Sequence, residues 1–337
     1  MNRSCATRDY SLDNIRFFLI FSVVFAHFLE VCVPFTGSQD IYLFIYTFHM
    51  PVFIFLFGYN IKYSPARIIY RWCIPYAVFQ SIYIFFQRFL YNASIAIQYT
   101  TPYWLLWYMV VCIFYQLLLP LYDSEDPYRQ LLSLLCTFIL ALYIGFEGSV
   151  GYYMSLSRFF VFQPWFLLGY YCKKNGIVES LTAHRKIRFT IFLVSMLIIL
   201  LCAPHDSNIP IGLLYGSHSY SGCGGTPLMR ASVSFIAFSW ILFLFVGVKP
   251  YLNKPLKLLT RIGQNTWPIF LLHGFFVKAI PVYWPQLLSS PWRVILLSCT
   301  VLVLMGNKIL GKAIYYTGFS WFEKLALYAP AKKKYSR

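Results

Sequence analysis

Residues 16–34 read RFFLIFSVVFAHFLEVCVP, and the fold follows from how that stretch is understood. A helix needs ~20 residues, and at least ~17, to cross the hydrocarbon core of a bilayer. This run is long enough and almost wholly apolar, yet it carries Arg16, His27 and Glu30. An ionisable group inside a span is costly, so it usually faces the bundle interior and serves a function. Arg16 and His27 are eleven residues apart. That is three turns, so both lie on one face, about 16 Å apart along the axis. Glu30 follows His27 by three and Asp13 precedes Arg16 by three, which makes each pair neighbours on the helix surface. Two readings stay open for this stripe. It is a functional face, or His27 is a satisfied interhelical hydrogen-bonder while Arg16 snorkels to the surface.

The rest of the chain repeats the pattern. Of its 337 residues 59% are hydrophobic and 12% charged, with a mean hydropathy of +0.61. Soluble domains carry about 25% charge. Apolar runs occur near 16–34, 41–59, 72–90, 104–121, 130–146, 158–172, 188–204, 231–248, 264–281 and 293–311. Basic clusters such as Lys62, Arg67 and Arg71, or Lys173, Lys174 and Arg185, alternate with loops holding only Arg88, Arg158, Arg230, Lys278 and Arg293. Cytoplasmic loops carry the excess of Lys and Arg. The expectation is an all-α integral membrane protein, a bundle of about ten transmembrane helices with both termini cytoplasmic. Residues 1–337 form a single membrane domain, with a basic tail at about 325–337. The first run has no small-residue cleavage site behind it and is read as a retained helix.

A net charge of +17 would point a soluble chain toward nucleic acid. Here the bases lie between apolar runs, so anchoring at an anionic leaflet accounts for them. The bilayer is an expected partner and nucleic acid is not. The nine cysteines are scattered, with no Cys-x-x-Cys pair. No metal site is expected. His205 and His218, in the outer connection at 204–230, lack a third ligand.

Further polar and aromatic residues mark the apolar runs. His49 precedes Pro51 in the second run; it reaches toward His27 or bonds a carbonyl that the proline releases. Arg67 and Arg71 share a face at i, i+4 and, with Arg16, make either a topology anchor or a phosphate site. Trp104 and Trp107 form an interfacial belt or a stacking platform for a sugar ring. His273 lies deep in the ninth run, where packing explains it as well as chemistry does.

Taken in order, these segments resemble a known group. Arg8-Asp9-Tyr10-Ser11-Leu12-Asp13-Asn14-Ile15-Arg16 leads to His27, a basic residue, ten residues, then histidine. Phe48-His49-Met50-Pro51 runs to Gly58-Tyr59, and Arg71 stands ahead of Pro75-Tyr76. Trp104-Leu105-Leu106-Trp107 follows, then Pro164-Trp165-Phe166-Leu167-Leu168-Gly169-Tyr170, then Ile262-Gly263-Gln264-Asn265-Thr266 leading to His273. The chain resembles the acyltransferase-3 family of integral membrane acyltransferases over nearly its whole length, and within it the fucose 4-O-acetylase-like branch. It departs in having Phe57 where a serine is common, and in spacing Arg67 and Arg71 one residue further apart than in some members.

The resemblance implies an O-acyltransferase of a multi-pass bacterial cell membrane. It implies transfer of an acyl group, usually acetyl, from acetyl-CoA to a hydroxyl of a carbohydrate or cell-envelope glycan. No tightly bound cofactor is expected; acyl-CoA is a co-substrate. In those terms His27 is the general base with Glu30 beside it, Arg16, Arg67 and Arg71 hold the donor, and His49, Trp104, Trp107 and His273 face the acceptor. A transporter or exporter without covalent chemistry is the competing reading, since intramembrane His and Arg also line pathways.

Overall fold

The computed structural model describes residues 9–92, 97–202 and 209–316. Among these residues the regular structure is all helical. The principal helices in chain order are α1 (Tyr10–Val31), α2 (Ser38–Tyr46), α3 (His49–Asn60), α4 (Ile74–Tyr91), α5 (Trp107–Tyr122), α6 (Pro127–Tyr143), α7 (Leu156–Lys174), α8 (Arg185–Leu201), α9 (Pro227–Leu242), α10 (Lys257–Gln264), α11 (Thr266–Tyr283), α12 (Pro291–Met305) and α13 (Lys308–Tyr316). Helix stands at every one of the ten expected positions. Six helical segments among the described residues are long and apolar enough to cross a membrane, or seven if the bent pair α12–α13 counts as one.

The shortfall from ten has physical causes. α7 contains Arg158, Gln163, Lys173 and Lys174, which lower its hydropathy, and it meets little lipid because neighbouring helices bury much of it. α8, at 17 residues, stands at the lower limit of length and opens on Arg185, Lys186 and Arg188, and α4 carries Gln80, Gln87 and Arg88. The second expected span, Ser38–Asn60, is one of the six that qualify, although a turn interrupts its helix. Thr47 and Phe48 separate α2 from α3, and Pro51 stands in the first turn of α3, where its missing N–H leaves no intrahelical bond unmade. His205 and Asp206 of the outer connection, and the basic tail, lie outside the described residues.

α3 and α7 form the most extensive helix pair, and two glycines make this possible. A Cβ on Gly58 would stand 2.1 Å from the carbonyl oxygen of Phe166, and one on Gly169 would stand 2.1 Å from that of Phe55. Each backbone therefore fills the place of the other's missing side chain, as small residues allow between membrane helices. Around this contact Phe55, Tyr59, Tyr115, Phe166 and Phe245 are fully buried. The opposite faces of α6 and α8 present Leu131, Leu135, Ile139, Leu193 and Leu197 outward, as a lipid-facing surface requires.

Gly58→Ala and Gly169→Ala are each expected to cost about 1–3 kcal/mol through overpacking. Thermal unfolding of the purified protein in detergent checks this, and an unshifted midpoint for both variants would refute the backbone contact.

Candidate active site

Two regions of polar residues lie along α1, one near each end. Near the first, Arg16 Nη1 donates to Asp13 Oδ1 at 2.8 Å, and Gln264 Nε2 donates to the other oxygen of Asp13 at 3.1 Å. Asp13 is buried, whereas Arg16 is 29% exposed and lines a cavity of about 1130 Å³. Lys62, Arg67, Arg71, Lys308 and Lys312 line the same cavity, and no Asp or Glu is among the described residues that line it. Apolar walls come from Phe53, Phe57, Trp72, Tyr108 and Trp267. Arg71 lies in a π-helical turn, Ile69–Cys73, together with Tyr70 and Trp72, which also line the cavity. A π turn takes up one residue more than an α turn, so it rotates the side chains that follow. The turn falls where the spacing of the two arginines is one residue long.

Near the other end, His27 Nδ1 lies 3.4 Å from Glu30 Oε2 and 3.5 Å from the Tyr46 hydroxyl. The Trp104 ring meets the imidazole edge-on at 4.5 Å, and the His273 ring stacks on it at 5.5 Å. Lys278 Nζ sits 4.2 Å from the Trp104 ring centre. Among the described residues, His27 Nε2 has no hydrogen-bond partner. The His27 side chain is 13% exposed and that of Glu30 30%, so the pair is sheltered but reachable. Trp104 itself has φ +31°, in the left-handed region that a bulky residue avoids. Such a conformation costs about 1–3 kcal/mol and persists only where its surroundings enforce it.

The other histidines take different places. His49 Nδ1 lies 2.8 Å from the Ile45 carbonyl, which can only accept, so the ring donates there. The acceptor is Ile45, four residues before His49, and not Thr47, whose carbonyl is the one that Pro51 leaves without its i+4 donor. The Tyr46 ring stands between, 4.6 Å from His49 and 6.4 Å from His27. His273 Nδ1 donates in the same way to Ile269 at 2.8 Å, and its buried Nε2 has no partner among the described residues. Trp107 stacks on Phe162 at 5.4 Å and holds the Arg158 guanidinium at 4.9 Å. The two regions meet across one helical turn. Tyr108 lines the cavity four residues beyond Trp104, and it packs against Phe270, three residues before His273, at 5.4 Å.

This arrangement places a histidine with a free nitrogen near one end of α1 and a cationic cavity near the other. The acyltransferase-3 family model, an acyltransferase domain, matches residues 9–306. The chain belongs to the acyltransferase-3 family. No curated protein matches it, and no solved structure does. As an acyltransferase-3 member it is a membrane acyltransferase, and every residue named at the His27 end lies inside the matched stretch.

Several residues of the two regions escaped the sequence reading. Tyr46, Lys278 and Arg158 were visible only as an aromatic and two outer charges. Arg158 donates to the Tyr215 carbonyl at 3.0 Å and to Ser217 Oγ at 3.3 Å, and it lies 5.2 Å from the Tyr152 ring. Arg230, counted as a loop charge, is 4% exposed and donates to the Ala141 carbonyl. Lys62 was legible as a basic residue near Arg67, but nothing in the sequence placed Lys308 and Lys312 in the same cavity.

Glu30→Gln keeps the size of the side chain and removes its charge. Acyl transfer is expected to fall on the order of 10²-fold, the lower end of what a positioned base contributes. Steady-state kinetics measures this, and an unchanged turnover would remove Glu30 from the site.

Proposed function

We propose that this protein moves an acyl group, acetyl in size, from acyl-CoA to a hydroxyl of a carbohydrate or cell-envelope glycan, in a bacterial cytoplasmic membrane. The observation that carries the reading is the cavity in which Arg16, Arg67 and Arg71 converge with Lys62, Lys308 and Lys312. Guanidinium groups hold phosphate oxygens in pairs. A bundle of about ten crossings with both termini cytoplasmic would open this cavity toward the compartment that contains CoA. The long, thin pantetheine arm would pass Tyr108 to bring its thioester toward His27.

The chemistry at His27 balances simply. Nδ1–H points at Glu30, which leaves the lone pair on Nε2. Nε2 takes the proton of the acceptor hydroxyl as that oxygen attacks the thioester carbonyl. The C–O bond forms, the C–S bond breaks, and the imidazolium returns its proton to the thiolate, releasing free CoA and the ester. Glu30 stabilises the imidazolium between these steps. Trp104 offers a face to the acceptor ring, with His273 behind His27 and with Trp107 and His49 shaping the wall beyond.

His27→Ala is expected to abolish transfer while leaving the amount of folded protein unchanged. Arg71→Ala is expected to raise the KM for the donor about tenfold, the loss of one charged hydrogen bond. Both are read by release of free CoA from acetyl-CoA by the purified protein. Full transfer by the His27 variant would refute the base, and an unchanged donor KM would refute the phosphate role. Solute flux in proteoliposomes without acyl-CoA turnover would favour a transporter instead.

A further inference from the structure

The family match ends at residue 306, and two of the cations lining the cavity come from beyond it. How α13 reaches the cavity can be traced residue by residue. α12 ends at Met305, and the chain turns by 61° before α13. Gly306 permits the turn: a Cβ there would stand 2.6 Å from the Leu302 carbonyl oxygen and 3.2 Å from Ile262. Asn307 then caps α13, its Oδ1 accepting from the Ile309 N–H at 3.0 Å and its carbonyl from the Gly311 N–H at 3.0 Å. The same Oδ1 lies 3.5 Å from Arg261 Nη2, which ties the cap to α10. Gly311 faces α11, since a Cβ on it would meet Asn265 Oδ1 at 3.3 Å. Lys308 and Lys312 are four residues apart, so they share a face of α13, and both line the cavity that Lys62, Arg67 and Arg71 also line.

We propose that Lys308 and Lys312 form a second phosphate subsite, which holds the monophosphate on the ribose of the donor nucleotide and so selects 3′-phosphorylated CoA thioesters. The inference rests on the acyl-CoA reading above and extends it. Coenzyme A carries a diphosphate in its chain and a separate monophosphate on its ribose. Arg16, Arg67 and Arg71 come from α1 and from the stretch at 65–73, whereas the two lysines come from a different helix. Two cation groups on two elements match two phosphate groups separated by a sugar. Lysine acts on phosphate as a point charge, without the pairing geometry that guanidinium needs, and so suits a terminal monophosphate reached from the cavity edge.

The test compares acetyl-CoA with acetyl-dephospho-CoA, which lacks only the ribose phosphate, in the full-length protein. For the unaltered protein the KM of the dephospho donor is expected to exceed that of acetyl-CoA about tenfold. In the Lys308→Gln/Lys312→Gln variant this ratio is expected to fall to about one, through a higher KM for acetyl-CoA. Arg71→Ala is expected to raise both KM values and keep the ratio. A ratio that survives the double lysine substitution, or a ratio near one in the unaltered protein, overturns the subsite. If neither donor turns over, the acyl-CoA reading itself fails, and the two failures are thereby told apart; if Arg71→Ala moves neither KM, the phosphate role of Arg71 fails and with it the two-site arrangement. Melting in detergent, with the double variant within a few degrees of the parent, shows that a changed ratio does not come from unfolding.

Discussion

α1 and α10 touch backbone to backbone, and both regions depend on that contact. A Cβ on Gly263 would stand 1.8 Å from the Asp13 carbonyl oxygen, so only glycine lets the helices come this close. Polar bonds lock the rotation. Asn14 Nδ2 donates to the carbonyls of Leu252 and Lys254 at 2.8 and 3.0 Å, and its Oδ1 accepts from Thr260 Oγ1 at 2.6 Å. With Gln264 held on Asp13, the first turns of α1 have one orientation. A helix is a stiff rod, so the clamp that aims Arg16 also aims His27 three turns later. The acid beside Arg16 therefore does two jobs, since it pairs with the arginine and forms part of the joint.

The partition between the two regions is aromatic. Tyr108, Phe270, Trp267 and Trp72 pack edge to face and stacked, with ring centres 5.2–6.3 Å apart. Such contacts add to the burial of the rings themselves and keep the layer thin. This layer stands between the cationic cavity and the histidine. On the acyl-CoA reading proposed above, it would keep water from the far side away from the thioester and let a narrow chain pass where a hydrated ion would not. Trp104, held at positive φ beside His27, shows that this end of the layer is shaped against the backbone's own preference.

Much of the fold was legible because lipid imposes strict rules on sequence. Apolar length located helix at all ten positions, and the 3.6-residue period put Arg16, His27 and Glu30 on one stripe. The count of crossings was less legible, because hydropathy measures contact with lipid. α7 is wrapped by protein, so it can carry Arg158, Gln163 and Pro164 without meeting hydrocarbon. His49 had two local explanations, and its partner is neither of them but the carbonyl of Ile45, at the end of α2 where the helix breaks before α3.

What the sequence determined by itself is what depends on near neighbours along the chain: the helices, their polar stripes, the Asp13–Arg16 and His27–Glu30 pairs, and the family that those motifs mark. What only the tertiary structure decided is which distant elements share a space. Lys278 over Trp104, His273 on His27, and Lys308 and Lys312 in one cavity with Arg71 join positions more than a hundred residues apart. Such meetings are set by helix crossings, and those crossings depend on a few glycines where one backbone replaces another's side chain. No local period encodes that choice, because it belongs to both partners at once.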